Sequence, residues 1–263
     1  VIYHFLAELE RNNEAGALCT IVRSQGSTPR HVGSKMLVYP DGTFKGTIGG
    51  GELENRVIAE ACQALLDGKP RLLSYSMTDP SRGDPGVCGG QLEVFVEPIS
   101  PKPTLVVIGS GHVGKAVVHL AHWLGFQVVV SDDRPDFCNP AVIPEADEYY
   151  PVPMEELPQQ TSITPWTYLV LTTRGVDVDV KGLPALLASP AAYLGVIGSK
   201  RRWATTRKQL LEKGILEEKI DRVHSPIGLE LNAETPEEIA VSVMSEIIML
   251  RNGGTGKSMA DVK

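Results

Sequence analysis

The chain has 263 residues and a mass of 28.4 kDa, more than one compact α/β unit needs, so two domains or one with a large appendage are expected. Hydrophobic residues at 42%, charged residues at 22% and a mean hydropathy of -0.04 predict a soluble globular chain and exclude global disorder. A net charge of -7, from 25 basic against 32 acidic residues, has the wrong sign for nucleic acid as a partner, and no apolar run approaches the ~20 residues that span a membrane.

In chain order, Gly16 to Ser24 reads as a strand and Lys35 to Tyr39 as a second, followed by the turn Pro40-Asp41-Gly42. Glu52 to Leu66 sets Leu53, Val57, Ile58, Ala61, Leu65 and Leu66 at the spacing of an amphipathic helix. After Leu72 to Met77, Gln91 to Val96 closes this half as a strand, which predicts a mixed α+β domain over residues 1–98. Pro98, Pro101 and Pro103 each remove an amide donor and bias the preceding residue away from helix, so residues 99–103 are expected to be a linker.

Downstream, Thr104 to Ile108, Lys115 to Leu124, Gln127 to Ser131, Tyr168 to Thr172, Leu183 to Leu187 and Tyr193 to Ile197 alternate strand-like and helix-like runs, the pattern of a parallel sheet. Trp203 to Lys213 and Pro236 to Arg251 read as further amphipathic helices. Thr235 is the expected N-cap of the second, with Pro236 in its first turn and Glu237 and Glu238 facing its dipole.

The clearest motif is Gly109-Ser110-Gly111-His112-Val113-Gly114, a G-x-G-x-x-G turn that follows a buried strand and opens a helix. Gly109 would allow the tight turn, Gly111 the approach of a pyrophosphate, and Gly114 close packing of helix on strand. Asp132 and Asp133 end the next strand at the distance expected of a ribose-binding acid, and Arg134 beside them leaves NAD against NADP open. The predicted class is therefore α/β: a C-terminal Rossmann-like parallel sheet over 104–263, preceded by the smaller mixed α+β domain.

A second cluster lies upstream. Ser24 to Arg30 is followed by Gly46-Thr47-Ile48-Gly49-Gly50-Gly51-Glu52, which runs straight into a helix. Consecutive glycines at a helix start expose amides that can cradle an anion, with Arg30 and Lys35 nearby; a pair of ordinary turns is the competing reading. Cys88 stands among glycines in Gly86-Val87-Cys88-Gly89-Gly90, where little side-chain cover is expected, so its thiolate is a candidate metal ligand or sulfur relay. Cys19, Cys62 and Cys138 read as structural. The four cysteines form no C-x-x-C pair, which argues against a zinc or disulfide framework and fits a reducing cytoplasm. Gly254 to Ser258 imitates the end of a P-loop but trails a helix, and is expected to be a tail.

With Ser27-Thr28-Pro29-Arg30, Gly46 to Glu54, Cys88-Gly89-Gly90, Gly109 to Gly114, Asp132 to Pro135, Gly195 to Arg201, His224 to Leu229 and Ala233 to Ala240 in order along it, the chain resembles the xanthine dehydrogenase accessory factor family, of XdhC/CoxI type. Val176 departs from the histidine that often follows the Thr173-Arg174-Gly175 equivalent in that family. The resemblance implies a cytoplasmic chaperone rather than an enzyme. It would bind molybdenum cofactor, protect it while its terminal sulfur is installed, and deliver it to a molybdenum hydroxylase apoenzyme, with a cysteine desulfurase as a further partner.

The cofactor's phosphate, pterin and metal would call on Gly49, Gly50, Gly51, Glu52, Arg30 and Cys88, together with Ser199 and Lys200 of the Gly198–Arg201 loop. Gly109, Gly111, Gly114, Asp132 and Asp133 are the expected nucleotide-binding set. Two other readings stay open: an NAD(P)-dependent oxidoreductase, and a regulatory nucleotide sensor. The apolar stripe Ile239, Val243, Ile247 and Ile248 is expected to dock between domains or between subunits, with a homodimer as the expected assembly.

Overall fold

The computed structural model describes residues 2–262 apart from Pro80, Arg82 and Val87. The chain divides into two units after Pro101. The first contains α1 (Ile2–Arg11), β1 (Gly16–Gln25), β2 (Lys35–Val38), β3 (Phe44–Gly46), α2 (Gly51–Asp67), β4 (Arg71–Ser76) and β5 (Gln91–Ile99). Its strands form one antiparallel sheet in the order β3-β2-β1-β5-β4.

Alternation decides which face is covered: Leu92, Val94 and Val96 of β5 are buried while Gln91 and Phe95 are exposed. Helix α2 buries Leu53, Val57, Ala61, Ala64 and Leu65, and its chain reverses at Gly68, whose φ of 67° suits glycine. β5 continues through Pro98 to Ile99, into the stretch that the prolines set apart as a linker. Val96 is the last β5 residue paired to β4, so on that side Pro98 has no ladder to interrupt.

The second unit contains β6 (Thr104–Ile108), α3 (His112–Trp123), β7 (Gln127–Ser131), β8 (Glu148–Tyr150), α4 (Leu157–Gln160), β9 (Thr167–Leu171), α5 (Val176–Leu187), β10 (Tyr193–Val196), α6 (Lys200–Glu212), α7 (Glu217–Ile220) and α8 (Pro236–Asn252). All its strand pairs are parallel, in the order β10-β9-β6-β7-β8. The chain therefore winds outward from β6 in both directions, and the order reverses between β6 and β9, which marks the place where α/β sheets bind ligands.

Both faces of the sheet are covered, as parallel sheets require. Leu105 and Val107 pack with Val117, Val118, Val243 and Ile247 on one side, whereas Val106 and Ile108 pack with Leu183, Leu186 and Leu210 on the other. This corrects the expectation for the α8 stripe: Val243 and Ile247 are fully buried in the second unit's own core, with Ile239 packed against it.

The start of α8 carries a full capping box. Thr235 accepts a hydrogen bond from the Glu238 amide at 3.2 Å, and Glu238 accepts one from the Thr235 amide at 3.1 Å. Thr235→Ala is expected to lower the stability of the second unit by about 1 kcal/mol, read by urea denaturation.

Candidate functional site

Three loops of the first unit leave the same end of its sheet. β1 ends at Gln25 opposite Gln91, where β5 begins, and β4 ends at Ser76 opposite the same residue. β3 ends at Gly46, paired to Met36 near the start of β2. The segments that follow β1 and β3 and precede β5 therefore emerge together, and they are the three that the sequence singles out.

Glycines make the approach possible. A methyl group on Gly90 would lie 2.3 Å from the Ser27 carbonyl oxygen and 2.7 Å from the Thr28 methyl, and one on Gly49 would lie 2.6 Å from the Pro29 ring. The Ser24–Arg30 loop is thus wedged between Gly49 on one side and Gly90 on the other. Gly89 donates to the Met77 carbonyl at 2.7 Å and Met77 donates to the Gly90 carbonyl at 2.9 Å, which closes the neck of the Cys88 loop. Within that loop Asp84 accepts hydrogen bonds from the Asp79 amide and from the amide and hydroxyl of Thr78, and these hold its carboxyl down at about 2.

The glycine bend itself differs from expectation. Gly49, Gly50 and Gly51 have φ of 142°, 82° and 64°, the region that favours glycine. The amides of Ile48 and Gly49 donate to the Glu54 carboxylate at 3.0 and 3.2 Å, and the Thr47 hydroxyl donates to it as well. Burial raises the Glu54 pKa, but the donors at Thr47, Ile48, Gly50 and Gly49 outweigh it and hold the carboxyl below its ordinary value. The anion in the cradle is the chain's own. The Gly49 amide thus serves the bend itself, while Glu52 points outward to Arg56 at 2.9 Å.

Two reactive groups at this end are uncommitted. The Arg30 side chain is exposed and has no partner among the described residues. Cys88 is exposed, whereas Cys138 is buried and Cys19 is buried with its thiol pushed up to about 12 by burial.

In the second unit a cleft of about 420 Å³ opens at the carboxyl ends of β6, β7 and β9, lined by Gly109, Gly111, Asp132, Asp133 and Arg174 among others. Helix α3 starts directly after Gly111, earlier than the periodicity suggests, so its first amides face this cleft. Asp132 is 4% exposed and saturated. One oxygen accepts from the Arg134 amide and Nε at 3.0 and 2.8 Å, and the other from the Ser110 amide and Arg134 Nη2, both at 2.8 Å. A carboxylate offers about four acceptor sites, and all are used here, so in this structure Asp132 braces the glycine turn.

Asp133 does line the cleft, and it holds a two-pronged ion pair with Arg174 at 2.7 and 2.6 Å. Because β7 and β9 flank β6, that pair passes over the glycine turn. Arg174 was not among the expected site residues.

Asp179 and Arg202 form a second unexpected pair behind the cleft. Asp179 is fully buried, accepts from the Thr173 hydroxyl, and accepts from Arg202 Nε and Nη2 at 3.2 and 2.6 Å. Burial raises its pKa, with Thr173 and Arg202 opposing the rise. Gly198, at φ 146°, makes room: a methyl group there would lie 2.8 Å from Arg202 Cδ. Ser199 caps α6 by accepting from the Arg202 amide at 3.1 Å, so its hydroxyl is spent on the helix, and Lys200 begins the helix exposed.

Comparison with known proteins matches residues 105–247 to the XdhC Rossmann domain and residues 9–76 to the XdhC and CoxI family. The chain belongs to the XdhC family. Among its relatives, the uncharacterized protein YqeB of Escherichia coli K12 is 39% identical over 98% of this chain and 48% of its own. A probable xanthine dehydrogenase subunit of Bacillus subtilis 168 is 34% identical over 60% of this chain and 46% of its own. The chain thus spans about half the length of these two. The molybdenum cofactor insertion chaperone PaoD of Escherichia coli K12 is 24% identical over 95% of this chain and 88% of its own. A crystal structure of a xanthine dehydrogenase from Bacillus halodurans shares the fold with a TM-score of 0.52 at 23% identity, covering 98% of this chain and 97% of that one.

Proposed function

We propose that this XdhC-family chain binds the molybdenum cofactor as cargo, holds it while a cysteine desulfurase supplies its terminal sulfur, and delivers it to a molybdenum hydroxylase of xanthine dehydrogenase type. The observation that carries this reading is the meeting of the Ser24–Arg30, Thr47–Gly51 and Cys88–Gly90 loops at one end of the first sheet, with Arg30 and Cys88 both exposed. PaoD, similar over nearly the whole chain, bears the name of such a chaperone.

The chemistry matches the cargo part by part. The Arg30 guanidinium, exposed and able to donate two parallel hydrogen bonds, suits a terminal phosphate. A Cys88 thiolate is a soft donor suited to molybdenum or to a sulfur in transit. The rigid glycine bend keeps the loops close without placing side chains in the way.

The test is co-expression with the cofactor pathway, followed by molybdenum and pterin analysis of the purified chain. Stoichiometric pterin is expected for the parent, with Arg30→Ala and Cys88→Ala each lowering retention about tenfold, the effect of losing roughly 1.4 kcal/mol of binding. A parent that carries no pterin would refute the chaperone reading; variants that retain cargo like the parent would remove these residues from it.

A further inference from the structure

We propose that Arg56 is a positioning residue: it latches the loop that carries Cys88 to helix α2 and so keeps the thiol on the side of the cluster where Arg30 stands. The role rests on the reading of Arg30 and Cys88 as one cargo site, while the geometry can be tested without cargo.

Two arms meet at this end of the first sheet, and one helix touches both. Helix α2 is fixed to the sheet through its buried Leu53, Val57 and Ala61. Directly ahead of its first turn, Gly49 abuts the Pro29 ring of the Ser24–Arg30 loop. That loop is pinned within itself: the Ser24 and Thr28 hydroxyls are 2.6 Å apart, and the Thr28 hydroxyl donates to the Arg30 carbonyl at 3.0 Å. Further along the same helix, Arg56 donates from Nη1 to the carbonyl of Gly83 in the other arm at 2.6 Å, across 27 positions of sequence.

The Cys88 loop has a use for such a tether. Its neck is closed by Met77 with Gly89 and Gly90, and Asp84 and Asp79 accept bonds from Thr78, Asp79 and Ser81. These bonds run within the loop, so they give it a shape without fixing where that shape lies. Ser81, Gly83 and Cys88 are exposed. Gly83, at φ 90°, is glycine where the chain has to turn, and its carbonyl meets Arg56. At the opposite side of the neck, a methyl group on Gly26 would lie 3.2 Å from Gly90 Cα and 3.3 Å from the Gly89 carbonyl oxygen, so the first loop sits directly against the residues that follow Cys88. The loop is thus held between α2 on one side and the Arg30 loop on the other.

The bridge calls for an arginine. Nε donates to Glu52 at 2.9 Å, one helical turn earlier, and Nη1 is left to reach Gly83, so one planar group serves two acceptors in different directions. Glu60, one turn the other way, is held by Arg71 at 3.1 Å, and Arg71 also pairs with Asp67 at 2.8 Å. An exposed pair such as Glu52–Arg56 contributes little stability by itself; its value here is the direction it gives to Nη1. Glu52, expected to touch cargo directly, acts at one remove.

The experiment treats the purified full chain with neutral iodoacetamide and with anionic iodoacetate, and follows Cys88 modification by peptide mass. The ratio of the iodoacetate rate to the iodoacetamide rate reports positive charge beside the thiol. Arg30→Met is expected to lower this ratio about threefold, the scale of one exposed unit charge nearby. Arg56→Lys keeps the charge of the latch but not its two directions, and should lower the ratio toward the Arg30→Met value with a melting temperature close to the parent's. Glu52→Gln removes a negative charge, so a field effect alone would raise the ratio, whereas loss of the latch lowers it. Pterin retention after co-expression is measured in parallel and should fall in Arg56→Lys. A parent-like ratio or full pterin retention in Arg56→Lys, a raised ratio in Glu52→Gln, or no response to Arg30→Met overturns the positioning role. A parent that carries no pterin while the ratios fall as expected refutes the chaperone reading and leaves the latch standing.

Discussion

Replacing Arg202 by leucine is expected to cost the second unit about 3–5 kcal/mol of stability at neutral pH, because it strands a buried carboxylate. Asp179 is fully buried, and its basic partner is Arg202, which is 21% exposed and brings two donors to it. All three tryptophans, Trp123, Trp166 and Trp203, lie in the second unit, so urea denaturation followed by tryptophan fluorescence reports that unit alone.

The pH dependence has a definite sign. An acid whose folded pKa is raised favours the folded state below its unfolded value, here 3.8, and that contribution is lost as pH rises through the folded value. Without Arg202 the folded pKa rises further, so the deficit of the variant should shrink as the pH is lowered from 7 to 5. Adding Asp179→Asn to Arg202→Leu should recover part of the loss. A deficit below about 1 kcal/mol, the scale of a surface pair, or one that is flat with pH, would show that the pair is not the brace described here.

Glu54→Ala is the second large effect, about 3 kcal/mol in the first unit, since it leaves the buried Ile48 amide and the Thr47 hydroxyl without their acceptor and the Gly49 amide with the Thr47 hydroxyl oxygen alone, at 3.2 Å. Hydrogen exchange at Ile48 and Gly49 reads the consequence locally and should accelerate by at least about tenfold, the equivalent of 1.4 kcal/mol. Glu54 has a folded pKa below its unfolded 4.5, so the stability it supplies is present above 4.5 and is lost as pH falls through the folded value. Glu54→Gln should flatten that part of the acid limb. Unaltered exchange at both amides in the alanine variant would mean that the bend holds its shape by other means.

The second unit was legible where independent constraints coincide. The run Leu105 to Ile108, the three glycines and the following helix agree on one strand-turn-helix, and the recurring strands extend it to a parallel sheet. In the first unit α1 carries apolar residues at Ile2, Phe5, Leu6 and Leu9, a helical spacing absent from the elements predicted above.

Choosing among neighbouring polar residues was harder, for geometric reasons. Glu52 and Glu54 stand two positions apart on α2, about 200° around the helix, so one faces solvent and the other the bend. Asp132 and Asp133 follow each other at a strand end, where the side chains of successive residues diverge, and one braces the glycine turn while the other pairs with Arg174. Arg202 and Asp179 come from different helices, and no local pattern ties them together.

Glu54 has one more consequence. It is covalently tethered to the helix that its own bend begins, so for the Ile48 and Gly49 amides it acts as an intramolecular competitor whose effective concentration no dissolved anion matches. Phosphate or sulfate buffers should leave the bend undisturbed, and whatever docks against this loop cluster meets a platform already rigid before it arrives.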